Sequence, residues 1–217
     1  MSPRNGSIQA NYDRLRPDLR IIADMVRPGT RVLDVGCGDG ALLDYLVNAK
    51  NVDGRGVEIS QAGVNACVAH GLSVVQGDAD VDLKDYPSDA FDCVILSQTL
   101  QATSEPKTVL SQLVRIGRRG IVSFPNFGWW RIRLHLFWHG TMPVGGVLGH
   151  EWYDTPNIHL CTIRDFVRLC DRLDIGIDRG VAMTGSGGAR NLNATSPLAN
   201  LLSEQAVFLL KRKKKRA

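Results

Sequence analysis

Apolar residues along this chain alternate between two periods. Short continuous runs, the pattern of buried strands, are separated by segments whose apolar positions recur at helical spacing. Pro17-Asp18 opens a short helix through Val26, Arg27-Pro28-Gly29-Thr30 is a turn, and Val32 to Val35 is a buried strand that ends in glycines. Ala41 to Ala49 follows as a helix, with Leu42, Leu43, Tyr45 and Leu46 on its buried side. The unit then repeats: Gly54 to Ile59 is a strand, Ser60 a helix N-cap, and Gly71 the stop after His70. Further strands are predicted at Leu72 to Gln76, Phe91 to Leu96 and Gly120 to Phe124, with a helix starting near Glu105-Pro106.

The last third changes rhythm. Thr162-Ile163-Arg164-Asp165 is a capping box that opens a helix to about Leu173. Ile177 to Met183 and Ala206 to Leu210 are two more strands, joined by loop chemistry alone (Gly185, Gly187, Gly188, Asn191, Asn193, Pro197), so they should run antiparallel. Strands alternating with helices predict an α/β fold: a mostly parallel seven-stranded sheet with an antiparallel last strand and helices on both faces. That final hairpin sets it apart from a dinucleotide-binding Rossmann domain.

Length and composition narrow the class. A 217-residue chain with 44% apolar residues buries enough surface to hold a core without staples. No apolar stretch approaches the roughly 20 residues of a membrane helix, and the polar N-terminus lacks a signal-peptide core, so a soluble cytoplasmic protein is expected. The five cysteines form no C-x-x-C pair and behave as small hydrophobes. The net charge of +4 misleads, because Lys211 to Arg216 supply six cations while the first 210 residues carry 20 basic and 22 acidic groups, a net of −2. The expected organisation is a single domain over 1–210 and a solvated, disordered basic tail over 211–217.

The strongest chemical signal is V-L-D-V-G-C-G-D-G, residues 32–40. Gly36, Gly38 and Gly40 would let a ligand lie against bare backbone at the carboxyl end of the first strand. The spacing also satisfies a dinucleotide fingerprint, with Glu58 placed 22 residues past Gly36 for a ribose diol. Three carboxylates favour S-adenosylmethionine. Asp34 at the strand end can receive an α-ammonium group; Asp39 puts negative charge where a pyrophosphate would have to sit; Asp78 ends the third strand, within reach of an adenine amine. Each alone could simply cap a turn or a helix. As an ordered set they resemble the class I S-adenosylmethionine-dependent methyltransferases, a resemblance that implies their Rossmann-like fold and a cofactor set of Asp34, Gly36, Cys37, Gly38, Gly40, Glu58, Ile59, Asp78, Ala79 and Ser97.

The acceptor side is poorer. The fourth strand ends in I-L-S-Q-T-L-Q, without the [DNS]-P-P-[YF] signature of amine-directed nucleic-acid methyltransferases and without an evident general base, so no catalytic residue is assigned. Ser97, Gln98 and Gln101 could orient a substrate or satisfy backbone. Residues 123–162 hold all four Trp and four of the five His. Within them, 127–160 could be an aromatic lid over the pocket or a surface for a protein partner. His135 and His139 are four apart, but no ligand spacing supports a metal, and none is expected.

V-L-D-V-G-C-G-D-G, I-L-S-Q-T-L-Q, V-S-F-P-N-F-G-W-W, M-P-V and especially E-W-Y-D-T-P-N-I-H-L-C-T-I-R-D-F together resemble the MetW family of methionine biosynthesis proteins, from Tyr12 to Leu210. Leu148-Gly149-His150 departs from the Pro-Tyr pair of that pattern. The resemblance implies a methyltransferase-like protein of methionine biosynthesis that binds S-adenosylmethionine or S-adenosylhomocysteine. It also implies a role as regulatory partner of a homoserine O-acyltransferase, met through 127–160, with neither nucleic acid nor membrane as a partner. An active small-molecule methyltransferase is the alternative.

Overall fold

The computed structural model describes residues 3–145, 148–184, 189–191, 193 and 196–213. Helices α1 (Pro3–Arg14) and α2 (Pro17–Met25) precede strand β1 (Arg31–Val35). Then come α3 (Ala41–Lys50), β2 (Asp53–Glu58), α4 (Gln61–Ala69), β3 (Val74–Gln76), β4 (Phe91–Ser97), α5 (Pro106–Ile116) and β5 (Gly117–Pro125). After α6 (Trp130–His139) and α7 (Ile163–Arg172), the chain closes with β6 (Ile175–Met183), β7 (Ala189–Asn191), α8 (Pro197–Leu202) and β8 (Gln205–Arg212).

The strands form one sheet in the order β3-β2-β1-β4-β5-β8-β6-β7. β1 to β5 pair in parallel, and β8 lies antiparallel between β5 and β6. This is the expected mostly parallel sheet with its antiparallel last strand, plus an eighth strand of three residues, β7, paired with β6 at the edge. So short a strand, set among glycines and asparagines, carries no period to read. The six-residue α8 was hidden in the same loop-like stretch.

A second correction concerns the basic run. β8 continues through Arg212 because its ladder to β6 pairs Ile175 with Arg212. Acidic neighbours meet the cations: Lys211 pairs with Asp178, Arg212 with Asp89 at 3.0 Å, and Lys213 with Asp171 at 3.4 Å. Lys214 to Ala217 lie outside the described residues, as do Gly185, Gly187 and Gly188.

Strand alternation divides the core between the two faces of the sheet. Leu33, Val94, Leu96, Val122 and Phe208 pack with residues of α5 and α7. Val32, Ile95, Ile121 and Val207 pack with residues of α2 and α3. The same alternation places Asp34, Ser97 and Ser123 on the α2 and α3 face, at the carboxyl ends of β1, β4 and β5. That end lies where connections from β1 and β4 diverge to opposite sides, the crevice in which open α/β sheets bind ligands.

Phe166 of α7 is 2% exposed, with ring centroids 4.7 Å from Phe124 and 4.9 Å from Phe208. Phe166→Ala should therefore lose about 3–5 kcal/mol, because three rings leave little freedom to collapse into the gap. Urea unfolding should show the midpoint fall at unchanged slope.

Candidate functional site

The glycine loop after β1 takes its shape from backbone that other residues adopt only at a cost: Gly36, Gly38 and Gly40 have φ of +72°, +59° and +80°. A Cβ on Gly36 would stand 2.5 Å from the Thr99 hydroxyl, whereas one on Gly38 would meet nothing within 4 Å. The loop is thus packed on one side and open on the other. Glu58, at the end of β2, holds it. Its Oε2 accepts from the Gly38 N–H at 2.7 Å and its Oε1 from the Ser60 N–H at 2.9 Å.

Asp34 is 2% exposed, and its Oδ1 is buried with no hydrogen-bond partner. Burial first, and the Glu58 charge second, push its carboxyl up to about 7, while the Arg16 guanidinium pulls the other way. An unpartnered buried carboxylate facing a cleft invites a cationic hydrogen-bond donor.

Two cavities meet at Gly36. One, of about 260 Å³, is lined by Arg16, Asp34, Cys37, Gly38, Asp39 and Ser97 among others. The second, of about 200 Å³, is lined by Ile59, Asp78, Ala79, Thr99 and Ser104. Of the residues expected from the sequence, Gly40 and Glu58 line neither and instead support the loop. Asp78 Oδ1 accepts from the Asp80 N–H at 2.9 Å, so part of its capacity goes to the local turn. The shape and charge fit a molecule with an ammonium at one end and a flat, amine-bearing ring at the other.

Sequence reasoning missed Arg16 and Asp18. Asp18 is 1% exposed. Its Oδ2 accepts from Gln98 Nε2 at 3.2 Å and from the Ser97 and Ser123 hydroxyls at 3.4 Å, and its Oδ1 lies 3.3 Å from Arg16 Nε. The signal was a Pro-Asp pair that looks like any helix start. Only the sheet reveals that α2 begins over the strand ends. Ser97 and Gln98 are thus engaged by Asp18, and Gln101 Nε2 donates to the Gln98 carbonyl at 2.6 Å, leaving Gln101 Oε1 buried and unpartnered. Gln98 has φ +53°, a strained conformation for this residue.

The thiols here are inert. Cys37 and Cys67 lie 3.9 Å apart, and burial pushes both upward, away from the reactive thiolate.

No described residue of 127–160 lines either cavity. His159 touches the rim, its N–H donating to the Gln101 carbonyl at 2.9 Å. The aromatics of α6 face outward instead: Ile132 is its one buried side chain, while Phe137 and Trp138 are 77% and 69% exposed. Arg131 lies over the rings of Trp129 and Trp130. The segment joins the body through Asn126, which is fully buried. Its Nδ2 donates to the carbonyls of Asn200 and Ser203, and its Oδ1 accepts from the N–H groups of Gly128 and Ile163. Among the described residues, no helix is long and apolar enough to cross a membrane, and no three metal-ligating side chains come together.

The family model described as "Methionine biosynthesis protein MetW" matches residues 16–210. A bifunctional methionine biosynthesis protein MetXA/MetW from Rhodopirellula baltica is 33% identical over 207 residues, which is 91% of this chain but 33% of that protein. Nocamycin O-methyltransferase from Saccharothrix syringae is 30% identical over 61% of the chain and 51% of its own length. The chain thus spans between a third and a half of these relatives. Among solved structures, a SAM-dependent methyltransferase from Thermotoga maritima superposes with a TM-score of 0.67 at 15% identity, covering 91% of this chain and 88% of that one. The [4+2]-cyclase SpnF superposes at 0.62 and 16% identity, over 90% and 80%, so this fold is shared by proteins named for different chemistry.

The Asp34 shift has a consequence for stability. Because the group's folded value is raised, the folded state loses stability as pH rises from about 4 to about 7, and the penalty is complete above that. Without ligand, Asp34→Asn should therefore be more stable than the wild type by a margin that grows over this range and then levels. Urea midpoints at pH 4.5, 6 and 8 measure it.

Proposed function

The chain belongs to the MetW family, and from that premise we propose that it is a cofactor-binding regulatory partner of a homoserine O-acyltransferase in methionine biosynthesis, with S-adenosylmethionine or its demethylated product as the cofactor. One observation carries the reading. The cleft presents an unpartnered buried carboxylate at Asp34, while Ser97, Gln98 and Ser123 on the acceptor side are engaged by Asp18 and the exposed aromatics of α6 face away from the cleft.

In this reading Asp34 accepts the ligand's α-ammonium and Arg16, braced by Asp18, meets its carboxylate. Glu58 retains lone pairs for a ribose diol beyond the two N–H groups it already accepts. Ile59 and Ala79 flank the adenine, and Asp78 faces its amine. When bound, S-adenosylmethionine supplies an electrophilic methyl group on a sulfonium. This chain's residues bind and orient that group, and no described side chain in the cleft is positioned as a free base toward an acceptor. The name of the Rhodopirellula relative joins a unit of this family to a second methionine-biosynthesis unit in one polypeptide, which supports physical partnership. The buried, unpartnered Gln101 Oε1 and the strained Gln98 favour a second reading, an active small-molecule methyltransferase whose acceptor completes that corner.

Adding the protein to purified homoserine O-acyltransferase should form a complex and raise acyl transfer. No complex and no change in rate would refute the first reading, and methyl loss from labelled cofactor in a cell extract would support the second. Calorimetry with S-adenosylmethionine should show affinity rising from pH 5.5 to 7, as Asp34 ionises more readily beside a cation. Asp34→Asn should weaken binding roughly ten- to a hundredfold, the loss of one charge-assisted hydrogen bond, and flatten the pH dependence.

A further inference from the structure

Arg133 of α6 and Arg164 and Arg168 of α7 line a cavity of about 400 Å³, with Val167 and Leu201 on its apolar wall. It is separate from the cofactor cleft. Among the described residues, none of these guanidinium groups has a carboxylate partner. The acids of α7 are committed elsewhere: Asp165 accepts from the Thr162 hydroxyl at 2.7 Å in the capping box, and Asp171 pairs with Lys213. Arg164, Arg168 and Arg172 therefore stand at successive four-residue steps along one helix face as uncompensated like charges, which weakens an isolated helix. Arg133 is fixed from behind, its Nε donating to the Gly128 carbonyl at 2.7 Å.

The helix that brings Arg133 to the cavity also carries an apolar surface. Arg133 and Phe137 are four residues apart, hence on one face of α6, and Phe137 and Trp138 are exposed large hydrophobics on a helix that buries only Ile132. Arginines together with exposed aromatics match the composition of protein-binding hot spots, and a planar guanidinium pairs bidentately with carboxylate. A free small anion would account for the arginines and leave the aromatics unexplained.

We propose that this cavity anchors an acidic segment of the protein partner. An Asp or Glu side chain of that segment pairs with Arg164 and Arg168, and its apolar neighbours lie on Phe137 and Trp138. This rests on the partnership proposed above and names where and by what chemistry the partner is held.

The test compares the wild type with Arg164→Glu/Arg168→Glu and with Arg164→Gln/Arg168→Gln, measuring complex formation with homoserine O-acyltransferase at two salt concentrations. Circular dichroism and S-adenosylmethionine affinity report the fold of each variant. The glutamate pair should weaken the complex about tenfold or more, the glutamine pair by less, and the wild-type complex should weaken with salt more steeply than the glutamine variant. Unchanged cofactor affinity in both variants is expected. A wild-type complex that both variants form equally well overturns the assignment while leaving the partnership intact. Absence of any wild-type complex removes the partnership and this inference with it. Phosphate or citrate binding that is lost in the glutamine variant, with complex formation unaffected, makes the cavity a small-anion site and overturns the proposal.

Discussion

A carboxylate taken out of water costs far more than a hydrogen-bonded polar group, unless it is neutralised or paired. Strand alternation imposes that cost at Asp34: Val32 faces the α2 and α3 core, so the position two residues on must face the same way, at the last turn of pleat before the glycine loop. The surroundings moderate the cost without removing it. Arg16 supplies opposing charge, while Glu58, bonded to the Gly38 and Ser60 N–H groups, adds repulsion. Apolar layers on both faces of the sheet allow so unfavourable a residue to be held rigidly where a ligand can meet it.

Much of this was legible in the sequence because it is written in periods and punctuation. The runs at Val32, Phe91 and Gly120, each ending where polar residues begin, located the strand ends, and the glycines located the loop. Arg16 and Asp18 were illegible for the opposite reason. Nothing local distinguishes a Pro-Asp helix start that is solvated from one placed over Ser97 and Ser123, residues about eighty and a hundred positions away. Glu58 was read as a ligand contact from its place at a strand end. The structure shows a prior duty, tying β2 to the loop through Gly38 and Ser60, which no spacing rule could distinguish.

The aromatic stretch shows how composition leaves a choice that geometry narrows. Four Trp in forty residues serve a lid or a docking face equally well on paper. A lid must line the space it closes, and no described residue of 127–160 lines either half of the cleft. A helix of ten residues with one buried side chain gains little from its own core. Its order comes from its ends, where Asn126 satisfies four backbone groups and Gly140 takes a left-handed cap. Holding an apolar helix out from the body in this way is costly for a monomer in water and reasonable for a surface that another chain covers.

The end of β5 ties the cofactor side to this outward face. Ser123 donates to Asp18 beside the cleft, and Asn126, three residues further, holds the entrances to α6 and α7 and the C-terminal end of α8. Continuity alone transmits nothing, since a ligand shifts an equilibrium only by its difference in affinity between two states. A signal along this strand would need Asp18 to hold Ser123 differently when the cleft is filled. Asp18 is the group equipped for that, because the same carboxylate also holds Arg16, whose guanidinium lines the cleft. A ligand that draws Arg16 toward itself would loosen an ion pair whose other member bonds the strand that leads into α6. Under the proposed function, communication between the cleft and α6 would therefore reduce to how one buried carboxylate divides its bonds between an arginine and a serine.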